Sequence, residues 1–428
     1  MLFSLPGVRR LRPLPAIGLL VACGFAHAQP PLSLEQAVQL ATVQSRLVDA
    51  TQAQVHAVRE MAVAAGQRPD PVLKLGVANL PLDGPDRLSL TRDFMTMRSV
   101  GVMQELTRSE KLQARTERAE REAEAAETAR AQTVANVQRD AALAWWDRSV
   151  QQTMKELLQA QVSEAELQVQ STETLFRSGK AMQADVFAAR GQLEQWRDRV
   201  DQAQRQLAVA TVQLTRWVGD AATAPMGPRP DLALPAWAVG GDMAQALKHH
   251  PAVAAMAQQE ALAAADARVA RANQQTDWSA EVMFSQRGPA YSNMLSFNLS
   301  VPLQWDAQNR QDRELSAKLA RVEQARAQLA DAQRAHEAEV RAMLEEWHSH
   351  TRRLQRYDVA LLPLAAQRSA AATSAYRGGG APLGAVLEAR RAELETRMER
   401  LRIEMELARL WAQLTYVVPQ DTGHRSAP

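Results

Sequence analysis

Leu295-Ser296-Phe297-Asn298-Leu299-Ser300-Val301 alternates without a break, each odd-numbered residue apolar and each even-numbered one small and polar. Successive side chains of a strand point to opposite faces, so the segment predicts a strand with one apolar and one polar face. That is the pattern of a barrel strand with lipid outside and water inside. Val100 and Val102, and Val282 and Phe284, follow it more loosely. Strand-like runs are expected at 72–80, 99–106, 281–287 and 294–303, forming hairpins over 72–106 and 281–303. Their lengths approach the ~9–11 residues that a tilted strand needs to cross a bilayer. Four strands cannot close a barrel, since small barrels need about eight. The reading therefore demands several copies, and three would supply twelve strands. Two ordinary hairpins on a periplasmic helical protein are the competing reading.

Outward from the strands, the chain is duplicated. Phe176-Arg177-Ser178-Gly179-Lys180-Ala181 aligns with Tyr376-Arg377-Gly378-Gly379-Gly380-Ala381 at an offset of 200. The same offset pairs Val186 with Val386, Ala189 with Ala389, Arg190 with Arg390, and Gln213-Leu214-Thr215 with Gln413-Leu414-Thr415. Matches in one register define repeats over 29–218 and 242–418, divided by a Pro-, Gly- and Ala-rich equatorial linker at 219–241 and followed by a tail at 419–428. Each repeat runs helix (34–67; 243–274), strand pair, very long helix (108–176; 309–376), glycine turn and helix (181–217; 382–417). The long helices should reach about 100 Å, as long as the two shorter ones of a repeat end to end. Leu193, Trp196, Val200, Ala203, Leu207, Ala210, Leu214 and Trp217 alternate spacings of three and four, the mark of coiled packing. Ile403, Leu407, Leu410, Leu414 and Val417 repeat that stripe, while Met398, Leu401, Met405 and Ala408 make a second. Two stripes require neighbours on two sides, as in a closed cylinder of helices. The expected fold is thus mainly α with a membrane β-barrel: long coiled helices in a closed cylinder, and four strands per chain toward a barrel that further copies complete.

Residues 1–28 read as an export signal: Arg9, Arg10 and Arg12 precede an apolar run, and Ala26-His27-Ala28 fits a cleavage site. Leu20-Val21-Ala22-Cys23 also fits a lipoprotein box, so cleavage after Ala28 and lipidation of Cys23 both stand. Cys23 is the only cysteine, which excludes disulfides. A net charge of +2 with 23% charged residues gives a mixed-sign surface and no clustered basic footprint for nucleic acid. Aromatics at 5% suit long packed helices better than a thick core.

No HExxH, phosphate-binding loop or nucleophile elbow is present, so neither an enzyme nor a cofactor is expected. His348 and His350, two apart, point in directions about 200° apart on a helix and do not suit one ion. His249-His250, before Pro251, reads as a solvated entry turn. Trp145, Trp146 and Trp411 are expected between helices, and the Arg/Glu-rich stretch 115–130 as a solvated face laced with ion pairs. Met95 and Met97 offer thioethers suited to Cu(I) or Ag(I), although loop methionines are usually incidental; they are weak candidates and no firm metal site is assigned.

Phe176-x-x-Gly179 and Tyr376-x-x-Gly379, followed by Val186 and by Val386-Leu387-x-Ala389, with a hairpin between the helices of each half, resemble the TolC-type outer membrane factors of efflux pumps. Asn79-Leu80-Pro81-Leu82-Asp83, Met95-Thr96-Met97-Arg98 and Val100-Gly101-Val102-Met103-Gln104-Glu105 are similar to the heavy-metal branch, the CzcC and CusC type. The resemblance implies a homotrimer with a 12-stranded β-barrel in the outer membrane of a Gram-negative bacterium and a periplasmic α-barrel tunnel. It implies docking to a periplasmic adaptor (membrane fusion protein) and an inner-membrane RND transporter, with heavy-metal cations as cargo. Drug or organic efflux, type I secretion and, outside channels, a periplasmic coiled-coil scaffold are the alternatives. Arg177, Ser178, Gly179 and Lys180, with Arg377, Gly378, Gly379 and Gly380, would form the adaptor-contacting tip, their glycines permitting sharp helix reversal. The resemblance further places a periplasmic gate at Asp185 and Glu388; the family's second acidic position falls on Ala385.

Overall fold

The computed structural model describes residues 30–240 and 250–416. Ala28, Cys23, His249 and Val417 lie outside them. The first repeat comprises α1 (Leu34–Gln44), α2 (Arg46–Ala65), β1 (Val72–Ala78), β2 (Met97–Leu106), α3 (Ser109–Arg177) and α4 (Gln183–Val218). The second comprises α5 (Pro251–Ala272), β3 (Trp278–Gln286), β4 (Met294–Ser300), α6 (Gln311–Arg356), α7 (Leu362–Arg377) and α8 (Leu383–Thr415). The 69 residues of α3 span about 100 Å. Arg59 on α2 pairs with Glu127 in its first half, and Arg197 on α4 reaches Glu166 in its second at 2.9 Å. Two shorter helices thus stack end to end beside one long one, as the lengths predict.

Two local breaks depart from continuous helices. The first helical stretch divides at Ser45, whose extended backbone interrupts the ladder and whose hydroxyl accepts from the Val48 N–H. The second long helix carries a π-turn at Tyr357–Leu361 just before Pro363. Proline has no N–H to donate and crowds the carbonyl four residues back, and a widened turn relieves both.

Packing follows the stripes. On α4, Leu193, Trp196, Ala203, Ala210 and Leu214 are buried, with Val200, Leu207 and Trp217 half-buried between them. On α8, Ile403, Leu407, Leu410 and Leu414 form one buried stripe, and Leu401, Met405 and Ala408 the other. The largest cluster lies at the equator, where Leu34 and Val38 of α1, Trp145 and Trp146 of α3, Leu214 of α4 and Ala412 of α8 meet. Trp145 Nε1 donates to the Leu32 carbonyl at 2.9 Å, so its one polar atom is satisfied in the core. Leu32 also forms a parallel bridge with Met226, tying the start of the described chain to the linker.

The four strands make one antiparallel sheet in the order β1-β2-β3-β4. The hairpins of the two repeats are joined by β2 and β3, with Val100 opposite Phe284 and Val102 opposite Val282. β1 and β4 are edges of seven residues each, shorter than the ten of β2 and nine of β3. They are shorter than the runs 72–80 and 294–303 read from the sequence.

Candidate functional site: an inside-out sheet and a double helical tip

The register aligns the apolar residues into one continuous face: Leu73 and Leu75 on β1, Val100 and Val102 on β2, Val282 and Phe284 on β3, and Leu295, Phe297 and Leu299 on β4. This face is the exposed one, Leu75 and Phe297 each at 73%. Along the middle of the opposite face Lys74, Ser99, Gly101, Glu281, Ser285 and Ser296 are half-buried or buried, while Gly76, Asn298 and Ser300 on the two edge strands are exposed. A sheet of a water-soluble protein shelters its apolar face; here the polar face is the sheltered side. Exposed apolar area on this scale is a lipid- or protein-contacting surface. Among the described residues no helix is long and apolar enough to cross a membrane.

At the opposite end of the long helices, the two glycine turns are the same structure. The Gly179 N–H donates to the Phe176 carbonyl and the Lys180 N–H to that of Leu175; in the second repeat the Gly379 N–H donates to Tyr376 and the Gly380 N–H to Ala375. These paired bonds define Schellman ends, with Gly179 (φ 74°) and Gly379 (φ 75°) in the left-handed region. Gly378 (φ −80°) caps α7 in an ordinary helical conformation, so only one glycine per turn serves the reversal. Arg177, Ser178, Lys180 and Arg377 are exposed on these turns. A cleft of about 950 Å³ lies between the two tips, lined by Lys180, Met182, Asp185, Tyr376, Arg377 and Arg390 among others.

Asp185 lies in the first turn of α4 and Glu388 in the second turn of α8, and each has a partner within the chain. Asp185 accepts from the Met182 N–H at 2.9 Å, capping its own helix. Glu388 meets Arg368 of α7 at 3.1 Å in an exposed pair. Tyr376 stands near Asp185; burial first, and that carboxylate second, push its hydroxyl above the usual tyrosine range.

Met97 opens β2 opposite Ala78, and Met95 is exposed in the loop before it. Among the described residues no three His, Cys, Asp or Glu side chains gather as metal ligands. His250 departs from the expected solvated turn. Its Nδ1 accepts from the Ala252 N–H at 3.2 Å, capping α5, and its ring lies 3.6 Å from that of His336 on α6. Burial, then the neighbouring imidazole, lowers its pKa from 6.5 to about 4. Trp145 and Trp146 are fully buried between helices, as read from the sequence. Trp411 is half-buried and donates from Nε1 to the Ala233 carbonyl at 3.0 Å. The stretch 115–130 carries the expected ion pairs, Arg118–Glu122 and Arg121–Glu124, but Arg118 also reaches Asp266 of α5, which in turn holds Lys318 of α6. That network links the repeats and has no signal in local spacing.

Residues 35–220 match the family model for outer membrane efflux proteins. No curated protein matches the sequence. Among solved structures, CusC, described in terms of transmembrane channel formation, superposes with a TM-score of 0.79 at 17% identity, covering 97% of this chain and 99% of its own. The outer membrane protein VceC of Vibrio cholerae gives 0.70 at 17% identity, over 89% of this chain and 96% of its own. The open MtrE outer membrane channel of Neisseria gonorrhoeae gives 0.71 at 14%, over 90% and 88%. The chain therefore has the fold of outer-membrane channels, and its residues 35–220 match the outer membrane efflux protein family.

Proposed function

We propose that this protein is the outer-membrane exit duct of a tripartite efflux pump, a homotrimer whose 12-stranded barrel sits in lipid and whose helices form the periplasmic tunnel. The observation that carries the reading is the inverted sheet: an exposed apolar face, a polar face sheltered along its middle, and, among the described residues, two unpaired edges, β1 and β4. An open edge in hydrocarbon would leave backbone groups without partners, whereas pairing β4 of one copy with β1 of the next removes every edge. The protein acts as a conduit in the outer membrane of a Gram-negative cell, without catalysis or cofactor. The exposed double tip around Gly179 and Gly379 suits docking of a periplasmic adaptor, which would connect the duct to an RND transporter. Asp185 and Glu388, just behind the tip, suit a gate, since threefold symmetry turns each acid into a ring. Heavy-metal cations are the proposed cargo, on the strength of the similarity of 79–83 and 95–105 to the heavy-metal branch; Met95 and Met97 are its weak ligand candidates.

Two experiments test this reading. Fractionation should place the protein in the outer membrane, extractable only with detergent; release by salt or alkaline wash would favour a periplasmic scaffold. Deletion of the gene should lower tolerance to particular metal salts, and sensitivity confined to organic compounds would replace the cargo while leaving the duct.

A further inference from the structure

Within the four strands the polar face carries three charged residues, Lys74, Glu105 and Glu281. Two of them are joined: Lys74 Nζ lies 2.6 Å from Glu281 Oε2. They stand on β1 and β3, so the bond crosses the whole of β2, a distance of about 10 Å between strand axes. The crossing is possible because Gly101 is the β2 residue level with Lys74, with Met283 next in line on β3. A Cβ at Gly101 would come within 2.9 Å of the Val282 carbonyl oxygen. Glycine therefore leaves both a close backbone approach and a bare track for the lysine stem. Met103 is the β2 residue level with Glu281, and the further neighbours on this face, Ser99, Ser285, Ser296 and Asn298, are small and uncharged. Glu281 is the more enclosed partner, its side chain 12% exposed against 41% for Lys74.

We infer that the Lys74–Glu281 pair is a selectivity-determining element of the barrel: each copy masks a lumen-facing carboxylate with its own lysine, keeping this level of the pore neutral to small ions of either sign. The inference rests on the channel reading. Three such pairs ring the assembled barrel, and a charge ring of one sign imposes ion selectivity where a neutralised ring does not. Removing the lysine leaves three unopposed carboxylates; removing the carboxylate leaves three ammonium groups.

The test is the reversal potential of purified trimers in planar bilayers under a KCl gradient. Lys74→Gln should raise the K⁺/Cl⁻ permeability ratio about threefold and Glu281→Gln should lower it by a similar factor, as expected for a newly unpaired charge ring. The double variant should return to the wild-type ratio. Lys74→Cys, treated after assembly with thiol reagents, guards against folding effects: a cationic reagent should restore the wild-type ratio and an anionic one move it further toward K⁺. Conducting single variants with an unchanged ratio, or a double variant no closer to wild type, overturn the inference. A correctly assembled wild-type trimer that never conducts overturns the channel reading instead.

Discussion

At the scale of single residues, the tips carry the sharpest consequences. Gly179 and Gly379 hold φ near +75°, where a β-branched residue is strained, so Val at either site should cost about 1–2 kcal/mol locally. Both turns are exposed with open space around the missing Cβ, so the trimer should survive. Site-specific crosslinking to the adaptor should be lost in Gly179→Val and Gly379→Val; crosslinking at wild-type yield would remove the tip from the docking surface. Asp185→Asn with Glu388→Gln should reduce cation selectivity and relieve block by trivalent cations added from the periplasmic side, and no change in either would defeat the gate. His250 gives a pH prediction. Its folded pKa, about 4, lies below the unfolded imidazole value near 6.5, so the unfolded chain binds the extra proton between them. Its stabilising effect is complete above about pH 6.5 and is lost as pH falls toward 4. His250→Asn should flatten the melting-temperature profile across that window, read by circular dichroism at fixed salt.

At the scale of elements, the sheet discriminates between its faces. Phe297→Asp places a charge on the exposed apolar face of β4 and should cost up to roughly 2 kcal/mol if that face meets the bilayer interior. Asn298→Asp, one residue on, faces the polar side and should be tolerated. Comparing the yield of membrane-inserted protein for the two checks this, and equal yields would contradict the inside-out sheet. The elements themselves were legible wherever a short period governs them: the strict alternation over 295–301, the three-four spacing from Leu193 to Trp217, and the glycine turns repeated at an offset of 200. The break at Ser45 was not legible, because serine in a helical pattern signals a cap only once its hydroxyl is seen on the Val48 N–H. Pro363 announces a disturbance in the second long helix but does not say that a π-turn will absorb it. The stacking of His250 on His336 depends on how α5 lies against α6, which neither helix encodes alone. The same holds for Lys74 and Glu281, 207 residues apart and joined only by the register of three strands.

At the scale of the whole molecule, the exposed apolar surfaces and the open sheet edges fit the proposed assembly of several copies. Among the described residues the sheet ends in two unpaired strands and nothing covers its apolar face, and apolar side chains on the helices, Leu47 and Met61 of α2 and Val359 and Leu364 of the second long helix, stand exposed. Under the proposed function one chain supplies a third of a barrel and a third of a tunnel, and assembly closes both. The most direct test is native mass spectrometry of the protein extracted from outer membranes in mild detergent. The account predicts a single species of three chains, with no folded monomer until the detergent or temperature is harsh enough to unfold the sheet. A stable folded monomer, or an assembly whose copy number cannot close the barrel with four strands from each chain, would contradict it.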